Sequence, residues 1–234
     1  MSSLSLRKLS AIVGVMTNRL SIENYYLKHK NAYLALRRSE AWDESYKWDV
    51  LPSLNKMLSK LDILNEANAS EIIEKLQKAN PNSGSFCHWI DFDNLQKLLS
   101  KKPASAKALA YVWKVSGTNG IGKEIDAVNN IMKNLFSSSF QLSPAAFGYM
   151  LAAQDCNNFA IYSEKLIQIV SDINMTDKPK TQGDKYQLLN DTCRHLGMLM
   201  AREKSSYEDY EFYEALNGQD FMYVTEIYDK QRKD

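Results

Sequence analysis

The stretch LPSLNKMLSKL (residues 51–61) decides the fold class. Its apolar residues Leu51, Leu54, Met57, Leu58 and Leu61 recur at intervals of three and four. That spacing puts them on one stripe of an α-helix and on neither face of a strand. Pro52 lacks an amide hydrogen, so the reading places it in a first turn or at a kink. Just upstream, Trp42, Tyr46, Trp48 and Val50 add bulky apolar surface to the same region.

The same period extends outward in both directions. Toward the start it predicts helices from about Leu4 to Asn18 and from Ser21 to Arg38, with Leu20, Tyr25, Leu27, Tyr33, Leu34 and Leu36 on their apolar faces. Toward the end it predicts a helix from Ala69 to Lys78, stopped by the breaker cluster NPNSG at 80–84. A helix from Ile90 to Leu99 follows, and PASAKALAYVWKV opens at Pro103 in a first-turn position. Residues 117–122 interrupt that run, and Ile125, Val128, Ile131, Met132 and Leu135 resume it. Ser143-Pro144 reads as a cap followed by a first-turn proline, and Ser163 as the cap of a helix holding Leu166, Ile167, Ile169 and Val170. Residues 174–184 (NMTDKPKTQGD) form the clearest surface loop; helices from Tyr186 to Ala201, Tyr207 to Leu216 and Phe221 to Tyr228 come after it.

No stretch alternates with period two between hairpin turns, and no repeat of fixed length is present. The expectation is an all-α fold, a multi-helix bundle of about nine to eleven helices with short connections. Residues 1–173 make the main helical body, 174–184 the surface loop, and 185–234 the C-terminal helices packed on the body.

Apolar residues make up 44% of the 234 and aromatics 11%, enough for a real core and unlike a disordered chain. Lys plus Arg is 29 and Asp plus Glu 28, a net charge of +1, which is not the excess of base found in an obligate nucleic-acid coat. Apolar runs fall well short of the roughly 20 residues that span a bilayer, so no membrane partner is expected. The start reads as an amphipathic helix, not a secretion signal. Three widely spaced cysteines, Cys87, Cys156 and Cys193, suit reduced thiols and a cytoplasmic setting.

Each motif that suggests chemistry meets a simpler reading. GTNGIGK (117–123) has the glycine and lysine spacing of a phosphate-binding loop. Glu124 stands where a magnesium-holding Ser or Thr belongs, and the preceding segment reads as helix where the motif needs a strand. An interhelical loop is the stronger reading. Cys87-His88 with Cys193 and His195 would offer a tetrahedral zinc set, but neither pair has ligand spacing, and Cys193 and His195 point roughly 200° apart on one helix. Asp91 and Asp93 sit where carboxylates favour a helix start. No catalytic residue, cofactor, metal or small-molecule substrate is therefore expected.

Charge is uneven along the chain. The first 60 residues are basic, while residues 207–229 are acidic. Lys28, Lys30, Arg37 and Arg38, with Lys97, Lys101 and Lys102, are the candidate phosphate contacts, and interleaved Tyr25, Tyr26, Tyr33, Trp42 and Trp48 serve either as stacking groups or as core. Tyr207, Tyr210 and Tyr213, with Glu211 and Glu214, are the candidate protein-interaction surface.

Three phrases in one order carry a resemblance: Ala41-Trp42 with Tyr46-Lys47-Trp48-Asp49, Ser143-Pro144-Ala145-Ala146-Phe147 with Asn158-Phe159-Ala160-Ile161-Tyr162, and Leu216-Asn217-Gly218-Gln219-Asp220-Phe221-Met222-Tyr223-Val224. Together they resemble the helical region N-terminal to the motor domain in McrB-like GTPase subunits of modification-dependent restriction systems. The resemblance implies a helical accessory module that works with a DNA-acting motor or nuclease subunit, and it implies no catalytic residues. Neither a nucleotide-hydrolysing motor nor a nuclease core is present, so the chain is either a fragment or a stand-alone relative. Three functions follow as expectations: a non-enzymatic module binding DNA or a partner in a DNA-processing or restriction system; a protein-interaction scaffold using the tyrosine-rich acidic C-terminal helices; or a nucleotide-binding protein through the Gly117–Lys123 loop.

Overall fold

The computed structural model describes residues 21–62, 65–81, 86–101, 110, 119–137, 139–207 and 209–228. Nine α-helices and no strand occur among the described residues, in agreement with the all-α expectation. The helices expected over 4–18 and from Pro103 onward lie wholly or mostly outside those residues, as does Lys102. No helix among the described residues is long and apolar enough to cross a membrane.

Helix α1 (21–37) buries Ile22, Tyr26, Tyr33 and Arg37 on one stripe. Helix α2 (Tyr46–Leu58) buries Trp48, Leu51, Leu54 and Leu58, the apolar stripe of the opening stretch. It begins earlier than Pro52 suggested: the proline is the helix's seventh residue, so the Trp48 carbonyl four positions back receives no amide hydrogen from it. Helix α3 (Glu66–Ala79) is capped by Asn65, and α4 (Trp89–Leu99) by the ring nitrogen of His88. Helix α5 (Ile121–Leu135) starts four residues before the expected Ile125.

Ser143 caps α6 (Pro144–Gln154) as the sequence predicts, its Oγ accepting the Ala146 N–H at 3.2 Å. Helix α6 is buried almost all round, so its apolar residues show no stripe. Ser163 makes no side-chain cap bond; a 3₁₀ turn over Glu164–Leu166 leads into α7 (Ile167–Ile173) instead. Helix α8 (Gln182–Ala201) is capped by Thr181, which shortens the expected loop to residues 174–181.

The last elements differ most from expectation. Residues 204–207 form a 3₁₀ turn, and residues 209–213 are irregular ahead of α9 (Glu214–Tyr223), which runs on as a wider π-type turn over Val224–Tyr228. The predicted helix from Tyr207 to Leu216 is absent because its N–H groups find partners elsewhere. Asn157 Oδ1 accepts the Glu214 N–H at 3.1 Å, and the Asn157 and Cys156 carbonyls accept those of Ala215 and Leu216. The 155–158 loop thus caps α9 in place of Tyr213, which offers no side-chain acceptor bond.

Helices α8 and α9 form the centre of the molecule. Helix α8 packs on α9, α5, α7 and α6, while every residue from Ala215 to Met222 is buried. The C-terminal pair is therefore the middle of the core and not an addition to its rim. The approach of α8 and α9 depends on two glycines: a Cβ on Gly218 would lie 1.8 Å from the Cys193 carbonyl oxygen, and one on Gly197 would lie 2.0 Å from that of Glu214.

The three cysteines are buried and none is in a disulfide. Burial, followed by the charge of Asp91, raises the Cys87 pKa, and burial also raises that of Cys193. Cys156 is pushed up to about 12 by burial and then by Asp155. Thiolate is the reactive form, so alkylation with iodoacetamide at pH 8 is expected to leave all three untouched in the native protein and to modify all three in denaturant, as read by intact mass. Rapid native labelling of any one would contradict this burial.

Candidate functional site

The basic residues singled out in the sequence do not gather in one place. Lys28 is exposed on α1 and Arg38 just past its end, and Lys30 is half-buried in an ion pair with Glu203 at 2.9 Å. Arg38 Nη2 reaches the Ser206 carbonyl at 3.4 Å, and Arg202 lies 3.9 Å from Glu23. These contacts lay the 202–206 turn alongside α1 and add Arg202 and Lys204, both exposed, to its cations. Lys97 and Lys101 belong to α4 and its end, where Lys97 pairs with Asp93 and Lys101 sits 5.9 Å from the Phe136 ring.

Arg37 is a correction. It is only 4% exposed and has no access to a phosphate backbone. Its guanidinium lies 4.9 Å from the rings of Trp42 and Trp48 and 5.9 Å from those of Tyr33 and Tyr210. Nη1 donates to Tyr33 Oη at 2.6 Å and lies 3.6 Å from Asp220 Oδ2, while Nε and Nη2 are buried without a hydrogen-bond partner. Asp220 is fully buried; its Oδ2 accepts Tyr33 Oη–H at 2.8 Å and Trp42 Nε1–H at 3.2 Å. Burial, followed by Asp220, holds the Tyr33 pKa far above the usual phenol value, so Tyr33 stays a donor.

The predicted interaction surface is corrected in the same way. Tyr207 is buried with its hydroxyl 3.1 Å from that of Tyr26, and Tyr210 belongs to the ring of aromatics around Arg37. Half-buried Tyr213 donates to Glu211 at 2.7 Å, and half-buried Glu214 occupies the first turn of α9. Glu211 is the one exposed member of that set.

What sequence reading missed is an open cleft of about 640 Å³ next to the buried charges. Its floor is Glu44, Lys47 and Gln219, all buried. Lys47 Nζ donates to Gln219 Oε1 at 3.0 Å and forms ion pairs with Glu44 Oε2 at 2.6 Å and Asp220 Oδ1 at 3.5 Å. Glu44 also accepts from Tyr228 at 2.9 Å and from Tyr46 at 3.4 Å. Tyr46 stacks on Phe86 with ring centroids 5.5 Å apart, and Tyr223 meets Tyr228 edge-on at 6.1 Å. Burial and then the Glu44 charge raise the pKa of Tyr46 and of Tyr223, so both are neutral donors near pH 7.

Three sequence phrases quoted above, far apart in the chain, meet at this cleft. Tyr46 and Lys47 come from the first, Ile161 and Tyr162 from the second, and Gln219 and Tyr223 from the third. The second is held in place by Asn190, whose Oδ1 accepts the Ala160 N–H at 2.7 Å, and by Tyr186, which donates to the Ala160 carbonyl at 3.1 Å. Glu44 and Lys47 neutralise one another and are saturated with partners. The arrangement suits holding a ligand better than moving a proton.

The remaining sequence candidates have structural roles. Gly122 lies in the first turn of α5 against Gly183, where a Cβ on Gly183 would come within 1.9 Å of the Gly122 carbonyl oxygen. Its N–H donates to Gln187 Oε1 at 3.0 Å, so that donor of the glycine–lysine loop is spent on packing of α5 against α8. Asp91 accepts the Ser143 N–H at 3.0 Å and the Ser143 hydroxyl at 2.8 Å, clamping α4 to the start of α6. Among the described residues, no group of three or more His, Cys, Asp and Glu is placed to hold an ion. No protein-family model, curated protein or solved structure matches the chain.

Proposed function

We propose that the chain is a non-enzymatic helical binding module that contacts nucleic acid along α1 and the 202–206 turn, in the service of a DNA-processing partner. The observation that carries this reading is the strip formed by Arg38, Arg202 and Lys204, all exposed, with Lys30 paired to Glu203 beside them; Lys28, also exposed, lies roughly 160° round α1 from Lys30. Glu23 and Glu203 lie on the same strip and offset part of its charge. A strip that remains cationic at a net protein charge of +1 is a local phosphate-binding surface of the kind the total charge conceals. The resemblance to the helical region of McrB-like proteins points the same way. A partner surface built on Tyr207 and Tyr210 is less well supported, since both serve the core.

Electrophoretic titration over a salt series tests the proposal. Wild type is expected to shift a DNA duplex at low salt with affinity falling steeply as salt rises. The triple change Arg38→Glu, Arg202→Glu and Lys204→Glu is expected to flatten the log–log salt slope by about 3, at roughly 0.9 per lost phosphate contact. The pair Lys97→Glu and Lys101→Glu is expected to leave the slope near wild type. No binding at the lowest salt, or a slope set by the α4 pair instead, would refute the assignment.

A further inference from the structure

We infer that the cleft floored by Gln219 and Lys47 is a binding site for an uncharged, planar heteroaromatic ring of the nucleobase class. Gln219 is 2% exposed and its place in the floor is fixed chemically. Lysine only donates, so the side-chain oxygen of Gln219 must face Lys47, and the 3.0 Å contact shows it there. The amide nitrogen Nε2 is left over. Among the described residues it has no hydrogen-bond partner, yet it is not among the buried polar atoms sealed from solvent, so it opens on the cleft. A nearly buried amide donor with no protein acceptor is an expensive group to leave unused.

The walls select the shape and charge of what would use it. Two ring pairs, Tyr46 with Phe86 and Tyr223 with Tyr228, present aromatic surface to the same space. Flat rings stack on such surfaces whatever their sequence of atoms, which is how unpaired bases are held on protein aromatics. The charges of Glu44 and Lys47 are already matched to each other, so an ionic ligand gains little from the floor. A neutral ring bearing a carbonyl or ring-nitrogen acceptor gains the Gln219 bond and the stacking together. The volume of about 640 Å³ lies within the roughly 300–1,000 Å³ usual for small-ligand sites. The ring has two sources, a free nucleoside or a base held out of a strand, and the cationic strip on α1 is not needed for the first.

Saturation-transfer NMR on the full chain tests this with adenosine, guanosine, cytidine and thymidine, and with a short single-stranded oligonucleotide. The base protons of at least one nucleoside, or of the strand, are expected to receive saturation. Gln219→Leu is expected to weaken that binding about tenfold, equivalent to about 1.4 kcal/mol. Ser163→Trp, which plugs the cleft from its half-buried rim, is expected to abolish it, and Asp43→Trp at the exposed edge serves if Ser163→Trp lowers the melting temperature. The triple charge reversal on the cationic strip is expected to leave nucleoside binding intact, which separates this site from that strip. Signal from the strand alone, lost on plugging the cleft, assigns the base to a strand. Silence from every probe, or binding that survives both plugging variants, overturns the inference.

Discussion

Gly218→Ala is expected to destabilise the protein by at least about 3 kcal/mol, at the top of the range for overpacking a core. The added carbon would lie 1.8 Å from the Cys193 carbonyl oxygen, about half an ordinary contact distance, and backbone cannot swing away as a side chain does. Relief requires α9 to move off α8 along a face where every residue from Ala215 to Met222 is buried. For a chain of this size that loss corresponds to a fall of about 6–12 °C in melting temperature, measured by circular dichroism. Gly197→Ala, whose Cβ would lie 2.0 Å from the Glu214 oxygen, is expected to act in the same direction. Met198→Ala, one residue along and 49% exposed, is expected to stay within about 0.5 kcal/mol of wild type. A Gly218→Ala protein that melts within about 2 °C of wild type would mean that α8 and α9 lie further apart than described.

The same pair of helices shows what the sequence could and could not reveal. Helix α8 was legible from Tyr186 onward because its leucines recur at helical spacing, and the start of α6 because Ser143-Pro144 has only one good use. Helix α9 was not legible in its true register. Residues 207–213 carry aromatic and acidic groups in a helix-like order, but the 155–158 loop supplies the acceptors that start the helix at Glu214, and that loop lies far away in sequence. Gly197 and Gly218 read as weak helix positions when seen alone; their use is visible only when one helix lies against the other.

The candidate site divides along similar lines. Arg37 sits beside Arg38 at the end of α1, and nothing local distinguishes the core residue from the surface one. What buries Arg37 is Trp42, Trp48, Tyr210 and Asp220, and the last of these lies 183 positions further on. The cleft was present in the sequence only as three short phrases in a fixed order, without any sign that they touch. Period and capping are local signals and were readable; ion pairing and cavity formation are long-range and were not.

Asp220→Asn tests the most consequential of those long-range contacts, and it is expected to cost about 3–5 kcal/mol, the range for breaking a buried ion pair by removing one partner. The substitution keeps the shape of the side chain and leaves an oxygen to accept from Tyr33 and Trp42. It removes the charge, and the two cations do not suffer equally. Lys47 retains Glu44 at 2.6 Å, so its loss is partial. Arg37 retains no anion in hydrogen-bond contact, only the neutral Tyr33 hydroxyl and its rings, each ring worth about 0.5–2 kcal/mol to a cation, against the desolvation of a guanidinium with two nitrogens already unpartnered. The penalty should therefore fall mainly on Arg37, and a double-mutant cycle can locate it. Arg37→Met removes the stranded charge and leaves an apolar side chain among Trp42, Trp48 and Tyr210, where it packs well. The double variant is expected to be at least about 2 kcal/mol more stable than the sum of the single losses predicts, measured by urea unfolding. If the two losses simply add, Asp220 does not compensate Arg37, and the buried charge of α1 must be balanced by some other group in the core.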